Sequence, residues 1–408
     1  MPEITYSPAA LYIHIPFCSK KCDYCDFYSI PVNAATDGQL LDSFIEILRK
    51  DIDRQFKPVD TAKINSVYIG GGTPSLLGPR RMKELLDFLM PALSVGQNSA
   101  RKIDEFTVEV NPESLDKDFL RVCAEGGVTR ISCGIQTFNA PSRRLAGRAG
   151  GSARLGKALA LLGEIYGGAF SADIISGLPF QDEAALRRDM ETLLSYKPAH
   201  VSLYDLTLEE NTPLYQNIIS SRVTLPPLET AERLWIFGRD FLTANGYPQY
   251  EVSNFAQEGK RSVHNIAYWR MSGWLGAGPS ASGTLITDGG ASGKTFGLRR
   301  TVNADVRPYV SGAEPEVFSE TLDRNALIKE SFLMGFRYIK GPDAALFKKR
   351  FGCGIEDLIP ETLRVWRNAG KMQSGTLNGA LNIALNTDGL LILNRFLTDC
   401  FIELEKLA

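Results

Sequence analysis

The sequence has 408 residues, with 45 Lys and Arg against 47 Asp and Glu, which gives a formal net charge of -2 at pH 7. This length allows a large core, and one large domain with a smaller one is the expected division. A nearly neutral chain lacks the basic excess that binding to a phosphate backbone requires, so we expect no nucleic acid partner.

The first residues, Met1 to Thr5, lack the basic start and apolar run of a signal peptide. No later stretch has the length and apolar character of a transmembrane helix, so we do not expect an integral membrane protein. We therefore expect a cytoplasmic location. In that reducing compartment the seven cysteines are expected to be free thiols or metal ligands rather than disulfides.

Short runs rich in β-branched and aromatic residues alternate with segments of helical periodicity in the first half of the chain. The runs predicted as strands are residues 11–15, 66–69, 106–110, 130–136, 172–175 and 201–206. Amphipathic stretches at residues 39–54, 81–89 and 183–194 are predicted as helices between them. This alternation predicts an α/β fold with a parallel sheet, arranged as a partial (β/α)6 barrel.

The alternation weakens after residue 211. We predict that residues 1–225 form the barrel and that residues 226–300 form a connecting region. Residues 301–408 are predicted to form a small, mostly helical accessory domain. The connecting region contains the sequence His264-Asn-Ile-Ala-Tyr-Trp269.

Glycine-rich and polar residues occur where the predicted strands end. They are the cysteine segment, Gly70-Gly71-Gly72-Thr73-Pro74, Glu109, Asn111-Pro112, Gln136, Asp173 and Gly177-Leu178-Pro179. Because the carboxyl ends of parallel strands meet at one edge of a barrel, these residues are predicted to form a single site.

Cys18, Cys22 and Cys25 are separated by three residues and then by two. Three soft thiolates on one loop can hold three corners of an iron–sulfur cubane and leave the fourth iron open to a ligand. The alternative is a zinc site, which normally takes four protein ligands and often two Cys-x-x-Cys pairs. The sequence has no second pair, so the spacing favours a [4Fe–4S] cluster. The remaining cysteines are scattered among apolar neighbours, as is typical of core packing.

The sequence from Tyr12-Ile-His-Ile-Pro-Phe-Cys18 to Tyr24-Cys25-Asp-Phe27 resembles the radical S-adenosylmethionine (radical SAM) superfamily, and within it the coproporphyrinogen oxidase group. The resemblance implies that the open iron chelates the amine and carboxylate of the methionine moiety. It also implies that the cluster passes one electron to the sulfonium and releases a 5′-deoxyadenosyl radical. The electron donor is not identified by the sequence.

The resemblance further implies a set of residues that contact SAM. They are Tyr12, Gly71, Gly72, Thr73, Glu109, Gln136, Arg148 and Asp173. Consecutive glycines let a backbone approach a ligand closely, although a tight turn without a ligand also uses them. The planar guanidinium of Arg148 suits the methionine carboxylate.

Two kinds of protein in this group differ in purpose: oxygen-independent coproporphyrinogen III oxidases, which carry out an oxidative decarboxylation in heme biosynthesis, and heme chaperones of the HemW type. The oxidases usually carry a further cysteine at the position of Phe27 and a longer segment before the cluster loop. The chaperones carry a His-Asn-x-x-Tyr-Trp signature, which His264 to Trp269 resemble. The resemblance therefore implies a chaperone that binds heme and delivers it to hemoprotein acceptors. The sequence does not decide whether these acceptors are located at the membrane. The oxidase is the alternative.

His264 is the candidate heme ligand, because imidazole is a common axial ligand, and Tyr268 is the candidate to line the porphyrin face. A packed or capping histidine is the alternative.

The resemblance implies a winged-helix-like accessory domain, for which the low net charge favours a lid or docking role. A non-catalytic, zinc-stabilised binding protein is a further alternative, and whether the chain is an enzyme stays open.

Overall fold

The computed structural model describes residues 6–94, 103–287, 295–312, 315–377, 380–381 and 383–406. The strands are β1 Ala10–Ile15, β2 Phe17–Cys18, β3 Ile30–Pro31, β4 Ser66–Gly71, β5 Glu105–Val110, β6 Arg130–Gln136, β7 Phe170–Ser176, β8 His200–Asp205, β9 Asn254–Ala256, β10 Trp274–Ala277, β11 Ser282–Thr287, β12 Phe296–Val302, β13 Val317–Leu322, β14 Thr376–Leu377 and β15 Ala380–Leu381.

The helices follow the same chain order. They are α1 Gly38–Phe56, α2 Gly78–Ser94, α3 Lys117–Glu125, α4 Ala140–Leu145, α5 Ser152–Tyr166, α6 Glu183–Ser195, α7 Pro213–Ile219, α8 Leu228–Ala244, α9 Val263–Trp269, α10 Val306–Val310, α11 Arg324–Gly335, α12 Ala344–Phe351, α13 Pro360–Asn368, α14 Thr387–Leu390 and α15 Leu393–Glu405. None of these described helices has the length and apolar character needed to cross a bilayer.

An open 11-stranded sheet organises the molecule, in the order β13-β12-β11-β10-β1-β4-β5-β6-β7-β8-β9. Strands β1 and β4 to β8 run parallel, and helices connect each to the next. Because β13 and β9 are free edges, the sheet is a partial barrel. The expected α/β class and the six predicted parallel strands are confirmed.

The parallel strands are almost continuously buried, as is typical of a sheet covered on both faces. Leu11, Ile13 and Ile15 of β1, for example, have no exposed surface. On β1, β5 and β7 the partly exposed positions are Tyr12, Glu109 and Asp173. Partial exposure therefore falls on several of the side chains that sequence resemblance links to SAM.

Residues 226–300, which the sequence predicts as a connecting region, contribute strands to the large sheet. Strand β10 pairs with β1 in parallel, with Leu275 beside Leu11, and β9 pairs antiparallel with β8. These strands extend the sheet on both sides of the barrel. They have four and three residues, too few for a strand period to be recognised in the sequence.

The carboxyl-terminal region is mostly helical, as expected, and has a core of its own. Phe336 and Trp366 both pack edge-to-face on Phe396, with ring centroids 4.6 and 5.0 Å away. Strands β14 and β15 form a two-stranded antiparallel hairpin between the helices of this region. Strands β12 and β13 belong to the large sheet, and Leu322 at the end of β13 packs into this helical core.

Candidate functional site

The cysteine loop begins on β2 and returns to the barrel on β3, which pairs with β2 in parallel. The backbone N–H of Val32 donates to the Cys18 carbonyl at 2.8 Å, and that of Asp23 donates to the Ala146 carbonyl at 3.0 Å. The loop is thus fixed at its end and at its middle. Cys18, Cys22 and Cys25 are partly exposed, and none of the seven cysteines, all of which lie in the described residues, forms a disulfide.

The glycine turn after β4 packs directly against β1 and β2. The N–H of Gly72 donates to the Ile15 carbonyl at 2.8 Å, and that of Thr73 to the Phe17 carbonyl at 2.7 Å. A Cβ on Gly72 would lie 2.6 Å from the Phe17 carbonyl oxygen. Close approach of the chain to itself therefore requires this glycine, whether or not a ligand also uses the turn.

Gly71 has a positive φ of 110°, a conformation that side chains with a Cβ rarely adopt. A Cβ at this position would lie 2.7 Å from the imidazole of His14. The histidine Nε2 donates to the Tyr28 carbonyl at 2.9 Å, so Nδ1 accepts from the Tyr12 hydroxyl, also at 2.9 Å. His14 thus links the turn to the segment after the cysteines, a role that sequence reasoning did not assign to it.

Two carboxylates of the site lie on β5 and β7. Glu109 accepts from the Tyr68 hydroxyl at 2.6 Å and from the Gly71 N–H at 3.1 Å. Burial raises the pKa of Glu109 to about 7 although the hydrogen bond from Tyr68 opposes the rise. Burial likewise raises the pKa of Asp173 to about 6, against the hydrogen bond from Ser202.

Arg148 brings a positive charge to the cysteine loop. Its Nη1 donates to the Cys22 sulfur at 3.5 Å and to Oδ1 of Asn111 at 3.2 Å, and its Nη2 donates to the Gly134 carbonyl. Nε of Arg148 is buried and has no hydrogen-bond partner among the described residues. A buried donor without a partner costs free energy, so this guanidinium is arranged to take a further acceptor.

Gln136 ends β6 with a φ of 67°, at a register shift between β6 and β7. Strained non-glycine residues at strand ends are typical of functional sites. The Gln136 amide also lies 2.9 Å from the place of a Cβ on Gly134, beside Arg148.

The predicted SAM residues and the cysteines therefore come together at the carboxyl ends of the parallel strands. Direct contacts link Thr73 to Cys18, Arg148 to Cys22, and Gly71 to Glu109. Sequence reasoning did not single out Tyr68 or His14. Their signal was weak, because each is one apolar-looking ring within a buried strand.

His264 lies at the opposite end of the strands. It is the second residue of α9, and its Nδ1 is 3.2 Å from the hydroxyl oxygen of Ser66. Ser66 is the first residue of β4, whereas Gly71 is the last. Five residues at about 3.3 Å each separate these two ends by roughly 16 Å. The structure therefore does not bring His264 to the cysteine loop.

The His264 ring is enclosed. Its exposure is 1 %, and its Nε2 is 2.9 Å from the Tyr268 hydroxyl. Burial lowers its pKa to about 3, so the ring is neutral. Glu105 accepts hydrogen bonds from the Ser262 hydroxyl and from the N–H groups of Val263 and His264, which fixes the start of α9.

The amino-acid sequence is similar to those of several known proteins. Residues 12–193 match the Radical SAM superfamily. The heme chaperone HemW of Lactococcus lactis subsp. lactis (strain IL1403) is 33% identical over 358 residues, covering 87% of this chain and 88% of that protein. The mitochondrial radical S-adenosyl methionine domain-containing protein 1 of Danio rerio is 32% identical over 336 residues, covering 82% and 73%.

Among solved structures, coproporphyrinogen III oxidase (HemN) from Escherichia coli has a TM-score of 0.75 at 19% identity, covering 98% of this chain and 91% of that one. At this identity the likeness shows a common fold. It extends over the accessory region as well as the barrel.

Proposed function

The chain belongs to the radical SAM superfamily, in the family of the proteins named heme chaperone HemW, and from that membership we propose that it binds heme and delivers it to hemoproteins. The observation that carries the proposal is the similarity to these chaperones over most of the chain. Phe27 stands where the oxidases of the group usually carry a further cysteine, which agrees with the proposal.

Family membership implies a [4Fe–4S] cluster and SAM, and we propose Cys18, Cys22 and Cys25 as the cluster ligands. The residues fit such a group, since three soft donors share one loop and hydrogen-bond donors face two of the sulfurs. Burial raises the pKa of the Cys25 thiol to about 11, so a metal is needed to hold its thiolate. When bound, a cluster of this family supplies one electron to the sulfonium of SAM.

We propose that SAM binds where the strand ends converge. The unpartnered Nε–H of Arg148 would donate a hydrogen bond to the methionine carboxylate. Glu109 and Asp173 are partly exposed and would accept hydrogen bonds from the ribose hydroxyls. Tyr12, Gly71, Gly72, Thr73 and Gln136 complete the proposed contacts.

For heme we propose His264 as the iron ligand and Tyr268 as its neighbour on the porphyrin, and the structure sets a condition on this assignment. Both ring nitrogens of His264 are bonded, to Ser66 and to Tyr268, and the ring is buried. Ligation therefore requires α9 to move and one of these bonds to break. Heme bound there would lie at the end of β4 opposite the glycine turn.

The test is an anaerobic titration of the cluster-loaded protein with heme, followed by transfer to a heme-free globin as the probe acceptor. The proposal predicts stoichiometric binding and transfer, and a protein that binds no heme while holding a full cluster contradicts it. Because the chain has 3 histidines, variants His14→Gln, His200→Gln and His264→Gln cover all of them.

The histidine variants separate the function from the ligand. Loss of the heme absorption band in His264→Gln alone supports the assignment. Full heme binding by His264→Gln contradicts the assignment of His264 as the iron ligand. It does not contradict the proposed chaperone function. Equal loss in His200→Gln, whose ring is buried against Tyr250, would point to damage to the fold instead.

A second candidate is oxygen-independent coproporphyrinogen III oxidase, favoured by the common fold with that enzyme. Conversion of coproporphyrinogen III to protoporphyrinogen IX by the cluster-loaded protein, with SAM and a reductant, would establish it. We propose that this activity is absent.

A cytoplasmic location is also proposed, because free cluster cysteines need a reducing compartment.

A further inference from the structure

Asn111 joins two of the proposed cluster ligands through a continuous hydrogen-bond network. Nη1 of Arg148 is 3.5 Å from the Cys22 sulfur and 3.2 Å from Oδ1 of Asn111. On the other side, Nδ2 of Asn111 is 2.8 Å from the Thr73 hydroxyl oxygen, which is 3.6 Å from the Cys18 sulfur. The network therefore reaches from Cys22 to Cys18 through three side chains.

The direction of every bond in the network follows from Arg148. A guanidinium can only donate, so the amide oxygen of Asn111 must face it and the amide N–H must face Thr73. The Thr73 oxygen then accepts from Asn111, which leaves its own hydrogen for the Cys18 sulfur. A cluster-bound thiolate only accepts, so both cysteines receive a hydrogen bond.

The backbone holds Asn111 in this position. Its N–H donates to the Ser75 hydroxyl at 3.4 Å, and its carbonyl accepts from the Ser114 N–H at 3.1 Å. Pro112 restricts the residue before it to an extended conformation. Gly134 leaves room for the amide, since a Cβ there would lie 3.3 Å from Oδ1 of Asn111.

We propose that Asn111 is a positioning residue that aims one donor at each of two cluster sulfurs and so raises the reduction potential of the cluster. One-electron reduction adds negative charge to the cluster, and hydrogen bonds to its sulfurs stabilise that charge. The inference rests on the proposed cluster. It assigns to Asn111 a role separate from SAM contact, because Asn111 acts through Thr73 and Arg148.

The experiment measures the midpoint potential of the cluster by an EPR-monitored redox titration, without SAM or heme. Asn111→Ala removes the connection, and Thr73→Val removes the hydroxyl at nearly constant shape. Thr73→Ser keeps the hydroxyl and is the rescue variant. Asn139→Ala is the matched control, because this asparagine follows the neighbouring strand β6 but donates to the Phe180 carbonyl, outside the network.

We expect Asn111→Ala and Thr73→Val each to lower the equilibrium constant for reduction about tenfold, which is about 59 mV for one electron. Their combination should shift the potential by less than the sum, because Asn111 acts partly through Thr73. Thr73→Ser and Asn139→Ala should keep the wild-type potential.

A wild-type potential in Asn111→Ala with full iron and sulfide, or strictly additive shifts, overturns the role of Asn111. If the Asn111→Ala variant takes up no cluster, the test passes to Thr73→Val. A wild-type reduction potential in that variant then overturns the proposed network. Iron and sulfide are measured first on the wild-type protein, so absence of any cluster there marks failure of the proposed function rather than of the network.

Discussion

The Tyr68 hydroxyl donates a 2.6 Å hydrogen bond to the Glu109 carboxylate, and this bond crosses from β4 to β5 beneath the glycine turn. The same tyrosine ring lies 5.1 Å from the ring of His264. Tyr68 is therefore the shared neighbour of the proposed SAM site and of α9, the helix that contains His264.

Replacing Tyr68 with Phe should weaken SAM binding about tenfold, because a hydrogen bond to a charged group contributes about 1.5–3 kcal/mol and positions Glu109 for the ribose. Anaerobic calorimetric titration of each variant with SAM measures the dissociation constant. Tyr247→Phe is the control, since this buried tyrosine donates to the Pro198 carbonyl away from the site. Equal affinity in both variants would contradict the role given to Tyr68.

Stability of the SAM-free protein should fall as pH rises from the ordinary carboxyl pKa, about 4, to about 7. Burial raises the pKa values of Glu109 and Asp173, so the folded state holds their protons more tightly than the unfolded chain does. Their contribution is complete below the ordinary carboxyl pKa and is lost as pH rises through the raised values. Urea unfolding across this range should show a shallower pH slope in Glu109→Gln, and an unchanged slope would contradict the prediction.

Gly71→Ala should destabilise the protein by about 3 kcal/mol or more, because it combines a positive φ with a Cβ 2.7 Å from His14. Gly78→Ala is the matched control, since Gly78 also has a positive φ, of 72°, but open space around the added Cβ. The control should lose about 1–2 kcal/mol. Denaturant midpoints of the two variants measure the difference, and equal losses would show that contact with His14 does not matter.

His264→Ala should cost about 2–4 kcal/mol of stability, because it empties a buried position and leaves Ser66 and Tyr268 without their partner. Tyr268→Phe, which removes one of these hydrogen bonds, should cost about 1 kcal/mol. Urea unfolding of both variants tests this. A His264→Ala variant as stable as wild type would indicate that the ring is not held as the structure shows it.

The six parallel strands could be predicted from sequence because each is a short apolar run of sufficient length. Observed β4 extends the predicted strand only by Gly70 and Gly71. The flanking strands were missed because β10 pairs with β1 across more than 250 positions of sequence, and no local pattern of four residues records such a pairing.

The site was predictable to the extent that it follows strand ends. The cysteine spacing and the order of Glu109, Gln136 and Asp173 along the chain placed them on one rim. The Asn111 network was not predictable, because it depends on side-chain distances across three segments. The sequence also could not reveal that the His264 motif lies at the other end of the strands, since a single motif carries no information on which edge of a sheet it meets.

The most direct test of the cluster is iron and sulfide analysis with EPR on anaerobically purified protein, comparing wild type with a variant in which Cys18, Cys22 and Cys25 are all serine. Wild type should hold about four iron and four sulfide ions and give a cubane signal that SAM perturbs, and the variant should hold none. Cys353→Ser, which alters a cysteine of the accessory region, should match wild type. Zinc in place of iron, or a cubane that persists without the three cysteines, would contradict the assignment.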